Sequence, residues 1–419
     1  MRPPRPVRHH GIMSPAIRAV TRPELPAFVE AEFAAFGEPL STGKRDAVCR
    51  LLQADRTLAA FDGDRIVGTA AAYQAELTVP GPAQLPAAAV TAVGVLPTHR
   101  RRGVLTSMMA RQLDDVRARG EPLAVLVASE SVIYGRFGYG VASFFAEVEI
   151  ERVHARMAHP PAGGGRLVLL DAEAADKLLP ACHDTYRRGQ VGAINRPAAW
   201  WAMQLHDPDE ARSGSGRRFH AIHERAPGEA DGYLTYCIDH RVESSHRSVL
   251  QVEDLCATGD DVRAALWQFA LNVDLIDTIR ADCPVDEVLS WRLADPRQLR
   301  TVRLSDGLWV RLLDVPAALA GRTYSGRDRL VLQVHDAFQP ALGGTFELDA
   351  GEDGSACRPV EAEPDLVLGA SELGSVYLGG VRFGTLARAG RITERSPGAL
   401  ARADRMFAVG VAPWCDTDF

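Results

Sequence analysis

The sequence predicts a mixed α/β (α+β) chain of three blocks. Segments with a helical period alternate with short apolar strands along its whole length. At 419 residues the chain is too long for one ordinary core. A proline- and glycine-rich break, residues 160–165, separates two stretches that share a strand-to-helix outline.

The first block is expected over residues 16–158. Ala16 to Val20 reads as a strand, and Thr21 caps a helix from Arg22 to Phe36, with Glu24 in capping-box register. A second helix covers Lys44 to Gln53. Thr57 to Phe61 and Arg65 to Thr78 flank the turn Asp62-Gly63-Asp64, a hairpin signal. Ala87 to Val95 is the next strand, and the helix from Gly103 to Arg119 carries an apolar stripe that includes Val104, Met108, Leu113 and Val116. Strands at Leu123 to Ala128 and Ser143 to Ile150 close the block.

The second block, residues 166–297, has helices at Ala172 to Arg187 and Pro197 to Gln204. Strands follow at Arg218 to His223, Gly232 to Cys237 and Ser248 to Leu255, then a helix at Val262 to Asn272. Ser248 to Phe269 lies on Ala87 to Met108 when Leu266 is placed on Leu105. Asp254 then stands at the place of Val93, and Asp261 and Val262 replace Arg100 and Arg101. This reads as an internal duplication whose basic turn has decayed, since Asp260 and Asp261 would repel an anion.

The third block, residues 298–419, is expected to hold strands at Trp309 to Leu313, Arg329 to Asp336, Thr345 to Leu348, Cys357 to Val360, Asp365 to Gly369 and Phe407 to Ala412. Its helices are Val315 to Ala320, Ala370 to Leu378 and Pro397 to Met406, and residues 349–355 form a hairpin loop.

Composition narrows the function. A net charge of −7 argues against a nucleic-acid scaffold and suits a cationic small substrate. Seven dispersed cysteines without a C-x-x-C pair indicate neither a disulfide framework nor a zinc site, so no metal is expected. His220 and His223 come nearest to ligand spacing, but on a strand they face opposite sides and read as partly exposed histidines. No apolar run is long enough to span a membrane. The opening residues lack an apolar core, so residues 1–15 are expected to be a disordered tail, with Met13 an alternative start. The expected compartment is a reducing cytoplasm.

Chemistry concentrates between residues 90 and 140. Val93-Gly94-Val95 precedes Pro97, which ends ladder pairing and could leave backbone groups for an extended amide ligand. Arg100-Arg101-Arg102-Gly103-Val104-Leu105-Thr106 follows the strand and opens a helix. Such a turn aims unpaired amides at one spot, adds the partial positive charge of the helix end and suits a pyrophosphate. One strand later comes Ser129-Glu130-Ser-Val-Ile-Tyr134-Gly-Arg-Phe-Gly-Tyr-Gly140. Trp200 and Trp201 could line a pocket, although core packing accounts for both.

These motifs resemble the Eis family of GNAT acetyltransferases. So do Asp306 to Ala320 and Met406 to Phe419, so the resemblance covers essentially the whole chain. Leu105 departs from the generic GNAT glycine or alanine but fits this branch. The resemblance implies two GNAT-like acyltransferase domains, the second degenerate, and a C-terminal sterol-carrier-protein-like α+β domain. It implies acetyl-CoA as co-substrate, a polycationic amine such as an aminoglycoside or polyamine as acceptor, and a homohexamer. Acetyl-CoA contacts fall on Val93, Gly94, Val95, Arg100, Arg101, Arg102, Gly103, Val104, Leu105, Thr106, Ser129 and Glu130. The catalytic acid falls on Tyr134 and the base on the terminal carboxylate of Phe419, beside which Asp416 and Asp418 would draw in a cation. A protein lysine acceptor, or an apolar ligand held by a non-catalytic sterol-carrier-like domain, are the competing expectations.

Overall fold

The computed structural model describes residues 15–81, 83–207, 216–242, 247–351 and 354–419. Almost all of the expected N-terminal tail, and the tip of the hairpin loop at 352–353, lie outside the described residues. The chain forms two compact units. One contains the chain up to Tyr73 with Val90–Asp115, the other Gln74–Ala89 with Val116–Phe419.

In the first unit, strand Ala16–Ala19 pairs antiparallel with Thr57–Asp62, which turns through Gly63 into the strand that begins at Arg65 and pairs with it as far as Ala71. The Glu24 carboxylate accepts from the Thr21 amide at 2.7 Å, as the capping box requires, and from the Thr21 hydroxyl at 2.9 Å as well. Helices Leu25–Phe36 and Thr42–Leu51 cover one core of Phe28, Val29, Phe33, Phe61 and Ile66. Val104 and Met108, at the start of helix Val104–Ala118, pack on Ala60, Val67 and Ala70.

The second unit holds three sheet systems. Strand Leu123–Val127 runs parallel to Ala87–Ala89 and antiparallel to Leu308–Leu312, which in turn meets Gly140–Val141. A seven-stranded sheet follows, in the order Leu299–Asp306, Phe144–Glu151, Thr278–Pro284, Arg247–Ala257, Glu229–Val242, Phe219–Ala226 and Arg166–Leu170. A five-stranded sheet is built from Gly354–Pro359, Gly344–Gly351, Asp328–His335, Leu366–Gly369 and Ile392–Glu394.

Strands therefore trade partners across the sequence blocks. Phe144–Glu151 sits between two late strands, Thr278–Pro284 and Leu299–Asp306. Trp309 and Val310, far along the chain, pair with Leu126 and Val125. The expected strand from Phe407 to Ala412 does not form. This stretch runs as turns and coil past Gly410, and the Ala412 amide is taken by the Asp286 carboxylate at 2.7 Å instead of a ladder. His223 is buried beside Asp231, 2.6 Å away, where the sequence pointed to partial exposure.

Candidate functional site

The basic turn belongs to the first unit. Ala92 has a φ of +54°, a left-handed conformation uncommon for a residue with a Cβ, so the strand kinks just before Val93-Gly94-Val95. Gly94 is packed tightly; a Cβ there would meet that of Ala35 at 3.0 Å. Arg101 and Gly103 also adopt positive φ, +62° and +78°. No atom lies within 4 Å of where a Gly103 Cβ would sit, so the turn is open on that side. The Ser107 amide bonds back to the Gly103 carbonyl at 3.0 Å. By helix geometry the amides of Val104, Leu105 and Thr106 have no intrahelical acceptor, leaving them for an anion.

The three arginines divide their work. Arg100 donates to the carbonyls of Val95 and Ala35, at 3.1 and 3.0 Å, and so braces the strand end. Arg101 and Arg102 are exposed. The residues present fit a pyrophosphate: an open glycine turn, a helix N-terminus and two solvent-facing guanidinium groups.

Tyr134 belongs to the second unit, at the end of the short helix Ser131–Tyr134 with Glu130 at its N-cap. It is 5% exposed. Burial pushes its phenol up, the hydrogen-bonded Ser129 pulls it down and the Glu130 charge pushes it up. The phenol is therefore a proton carrier at neutral pH. The Tyr139 ring meets it edge-on at 6.1 Å. The glycines of the same motif serve packing. Gly138, at φ +82°, leaves room for the Arg311 guanidinium, and a Cβ on Gly140 would fall 1.8 Å from the Ser371 carbonyl oxygen.

The C-terminal segment is tied down along its length. The Trp414 amide bonds to the Val191 carbonyl at 2.8 Å. The Asp416 side chain is buried, and its Oδ2 meets His183 Nε2 at 3.0 Å, Arg196 Nη2 at 3.2 Å and the Cys256 thiol at 3.3 Å. Arg196 beside it, then His183, hold this carboxyl well below the usual carboxylate range against the opposing effect of burial. Asp416 is thus consumed internally and does not add the substrate-facing negative charge expected of it; Asp418 remains exposed. His183, Cys256 and Asp416 stand close enough to ligate a metal ion, but the carboxylate already faces the Arg196 cation.

Sequence reasoning passed over Arg196, whose signal was a lone cation ahead of the apolar run Pro197 to Trp201. Trp200 and Trp201 are both buried, and Trp200 Nε1 donates to the Asp418 carbonyl at 3.1 Å. At the duplicated turn, helix Asp260–Asn272 begins with two aspartates in its first turn. Arg263 there is paired with Glu287, and Asp261 with Arg292, so the positive field of the first copy is absent.

An acetyltransferase (GNAT) domain model matches residues 16–142, a second such model residues 192–312, and a sterol carrier protein domain model residues 315–416. Over 413 residues the chain is 40% identical to an uncharacterized N-acetyltransferase of Streptomyces coelicolor, covering 96% of this chain and 99% of that one. It is 35% identical to the N-acetyltransferase Eis of Mycobacterium bovis, over 83% of this chain and 85% of the relative. The crystal structure of Eis1 from Mycobacterium abscessus superposes with a TM-score of 0.86 at 36% identity, covering 96% of this chain and all of that one. The identity to Eis over 83% of the chain and the superposition on Eis1 over 96% of it make one conclusion: the chain belongs to the Eis family of GNAT N-acetyltransferases, enzymes that use acetyl-CoA.

Proposed function

We propose that the enzyme transfers acetyl from acetyl-CoA to an amine of a polycationic small molecule, aminoglycoside- or polyamine-like, in a ternary complex. The amine nitrogen attacks the thioester carbonyl, the C–S bond breaks, and the departing thiolate takes its proton from Tyr134. A phenol with a reference pKa near 10 can donate to a thiolate whose acid lies near 8.5. The Phe419 carboxylate receives the ammonium proton through water, and the second nitrogen proton, lost as the amide forms, restores the Tyr134 phenol. Val93 to Val95, Arg100 to Thr106, Ser129 and Glu130 bind acetyl-CoA, and amides near Val95 support the oxyanion. The observation that carries this reading is the buried Tyr134 phenol held beside Ser129. The net charge of −7 supports a cationic acceptor. The assembly proposed is a homohexamer working in the cytoplasm.

The test is thiol release from acetyl-CoA with a panel of aminoglycosides and diamines. Release with several members and its loss in Tyr134→Phe are expected. Silence with every amine, or full activity of Tyr134→Phe, overturns the reading. Acetylation confined to protein lysines, seen by mass spectrometry, would replace the acceptor class.

A further inference from the structure

We propose that the second GNAT-like domain, having lost its anion turn, works as a clamp that sets the C-terminal carboxylate for catalysis, with Arg196 as its positioning residue. This rests on the reading of Phe419 as the base.

The side chain of Arg196 is only 1% exposed, yet all three of its guanidinium nitrogens are used. Nε donates to the Thr417 hydroxyl at 2.9 Å. Nη2 donates to the Asp416 carbonyl at 2.6 Å and to its carboxylate at 3.2 Å. Nη1 donates to Asp254 at 2.5 Å and to the Tyr233 hydroxyl at 3.0 Å. The Trp200 ring lies against the guanidinium, 4.3 Å from its centre, and its N–H takes the Asp418 carbonyl. Backbone or side-chain groups of three consecutive tail residues are thus fixed, and only Phe419 extends beyond the last tie. A free chain end frays. Here the carboxylate has about one residue of reach, roughly 3.5 Å.

The location of the clamp gives it meaning. In the duplication, Asp254 and Cys256 stand where Val93 and Val95 stand in the first copy. Parallel pairing between Arg247–Ala257 and Thr278–Pro284 covers only Val249 to Gln251, just as Ala83–Val95 meets Leu123–Val127 only over Ala87 to Ala89. The strand segment given to acetyl-CoA in one copy has become, in the other, the seat of the chain's own tail. An arginine is needed because one planar fork must serve a carbonyl, two hydroxyls and two carboxylates at once.

The experiment uses the full chain with Arg196→Lys, Trp200→Phe, removal of Phe419, and the Arg196→Lys change combined with that removal. Turnover with a diamine, acetyl-CoA affinity by calorimetry and release of tail residues by carboxypeptidase are measured. Misplacing a proton acceptor by an ångström costs up to about 100-fold, so Arg196→Lys and Trp200→Phe should each lower kcat by about tenfold or more and hasten tail release. Acetyl-CoA affinity should stay within about twofold, because the binding turn is untouched. In the chain lacking Phe419, Arg196→Lys should cause no further loss of kcat. Trp200→Phe keeps an aromatic ring while removing the N–H that holds the Asp418 carbonyl, and serves if the buried arginine change prevents folding. Loss of activity without Phe419 together with normal kcat in Arg196→Lys or Trp200→Phe overturns the clamp alone. Full activity without Phe419 overturns both the base and the clamp.

Discussion

The Arg311 guanidinium lies 2.8 Å from the Asp336 carboxylate, and the same fully buried group donates to the Phe137 carbonyl. One side chain therefore joins the turn that carries Tyr134 to the end of strand Asp328–His335. Asp336 in return accepts the amides of Phe338 and Gln339, at 3.0 and 2.7 Å. Replacing Arg311 by Met leaves Asp336 charged and unpaired in the interior. A loss of about 3–5 kcal/mol is expected, measurable by denaturant unfolding, with a fall in turnover as the Tyr134 turn loosens.

Two glycines of one motif should respond differently to alanine. A Cβ on Gly140 would lie 1.8 Å from the Ser371 carbonyl oxygen and 2.5 Å from the Ser375 amide nitrogen, both backbone atoms that cannot swing aside. Gly140→Ala should cost about 1–3 kcal/mol or more. A Cβ on Gly135 meets nothing within 4 Å, and its φ is not positive, so Gly135→Ala should change the melting temperature little.

Tyr134→Phe should reduce kcat by roughly 10²–10⁴-fold, the usual range for a positioned proton donor, while the fold persists. The acid must be protonated to act, and burial raises the Tyr134 phenol above its ordinary value. The alkaline fall in kcat should therefore begin above the pH of a free tyrosine. A fall governed by Tyr134 at lower pH would contradict its role.

Titration of the full chain with acetyl-CoA should give one site per chain. The second copy offers Asp260 and Asp261 in the first helical turn, and its nearby Arg263 is neutralised by Glu287. Calorimetry showing two equivalent sites would contradict the decay of the second turn.

Glu32 sets a pH dependence of stability. Its Oε2 is buried without a hydrogen-bond partner, and burial, reinforced by Glu38, pushes the carboxyl up to about 7. Between about 4.5 and 7 the unfolded chain releases this proton while the folded chain keeps it. This group's contribution to stability therefore falls as pH rises through that window, by on the order of 1–3 kcal/mol, and stays low above it. Unfolding of Glu32→Gln compared with the parent across pH 5 to 8 should show the difference growing in favour of the variant.

Local signals were legible where one side chain decides the geometry. The Thr21–Glu24 box, helix Ala172–Arg187 and helix Val315–Ala320 all form where period and caps placed them. Asp254 was legible as a departure from Val93, although not as half of an ion pair. An aspartate between Val252 and Cys256 on the inward face of a strand requires a buried counter-charge, and nothing local says that Arg196 provides it. The exchange of Phe144–Glu151 was illegible for a related reason. Alternation shows that a strand has one buried face, but partners distant in sequence leave no mark within it. In the motif from Tyr134 to Gly140 the catalytic expectation rests on Tyr134, whereas two of its three glycines, Gly138 and Gly140, admit Arg311 and the Ala370–Val376 helix.

The pairing of Leu308–Leu312 with Leu123–Val127 makes synthesis itself a constraint. A ribosome that has just released Val127 must still translate through Leu312 before that edge finds its partner. At 5–20 residues per second the delay is roughly 10–40 s, during which an apolar strand edge stands open. The nascent N-terminal half is thus the species that chaperones would meet, and truncation anywhere before Leu312 should yield aggregation rather than a smaller working enzyme.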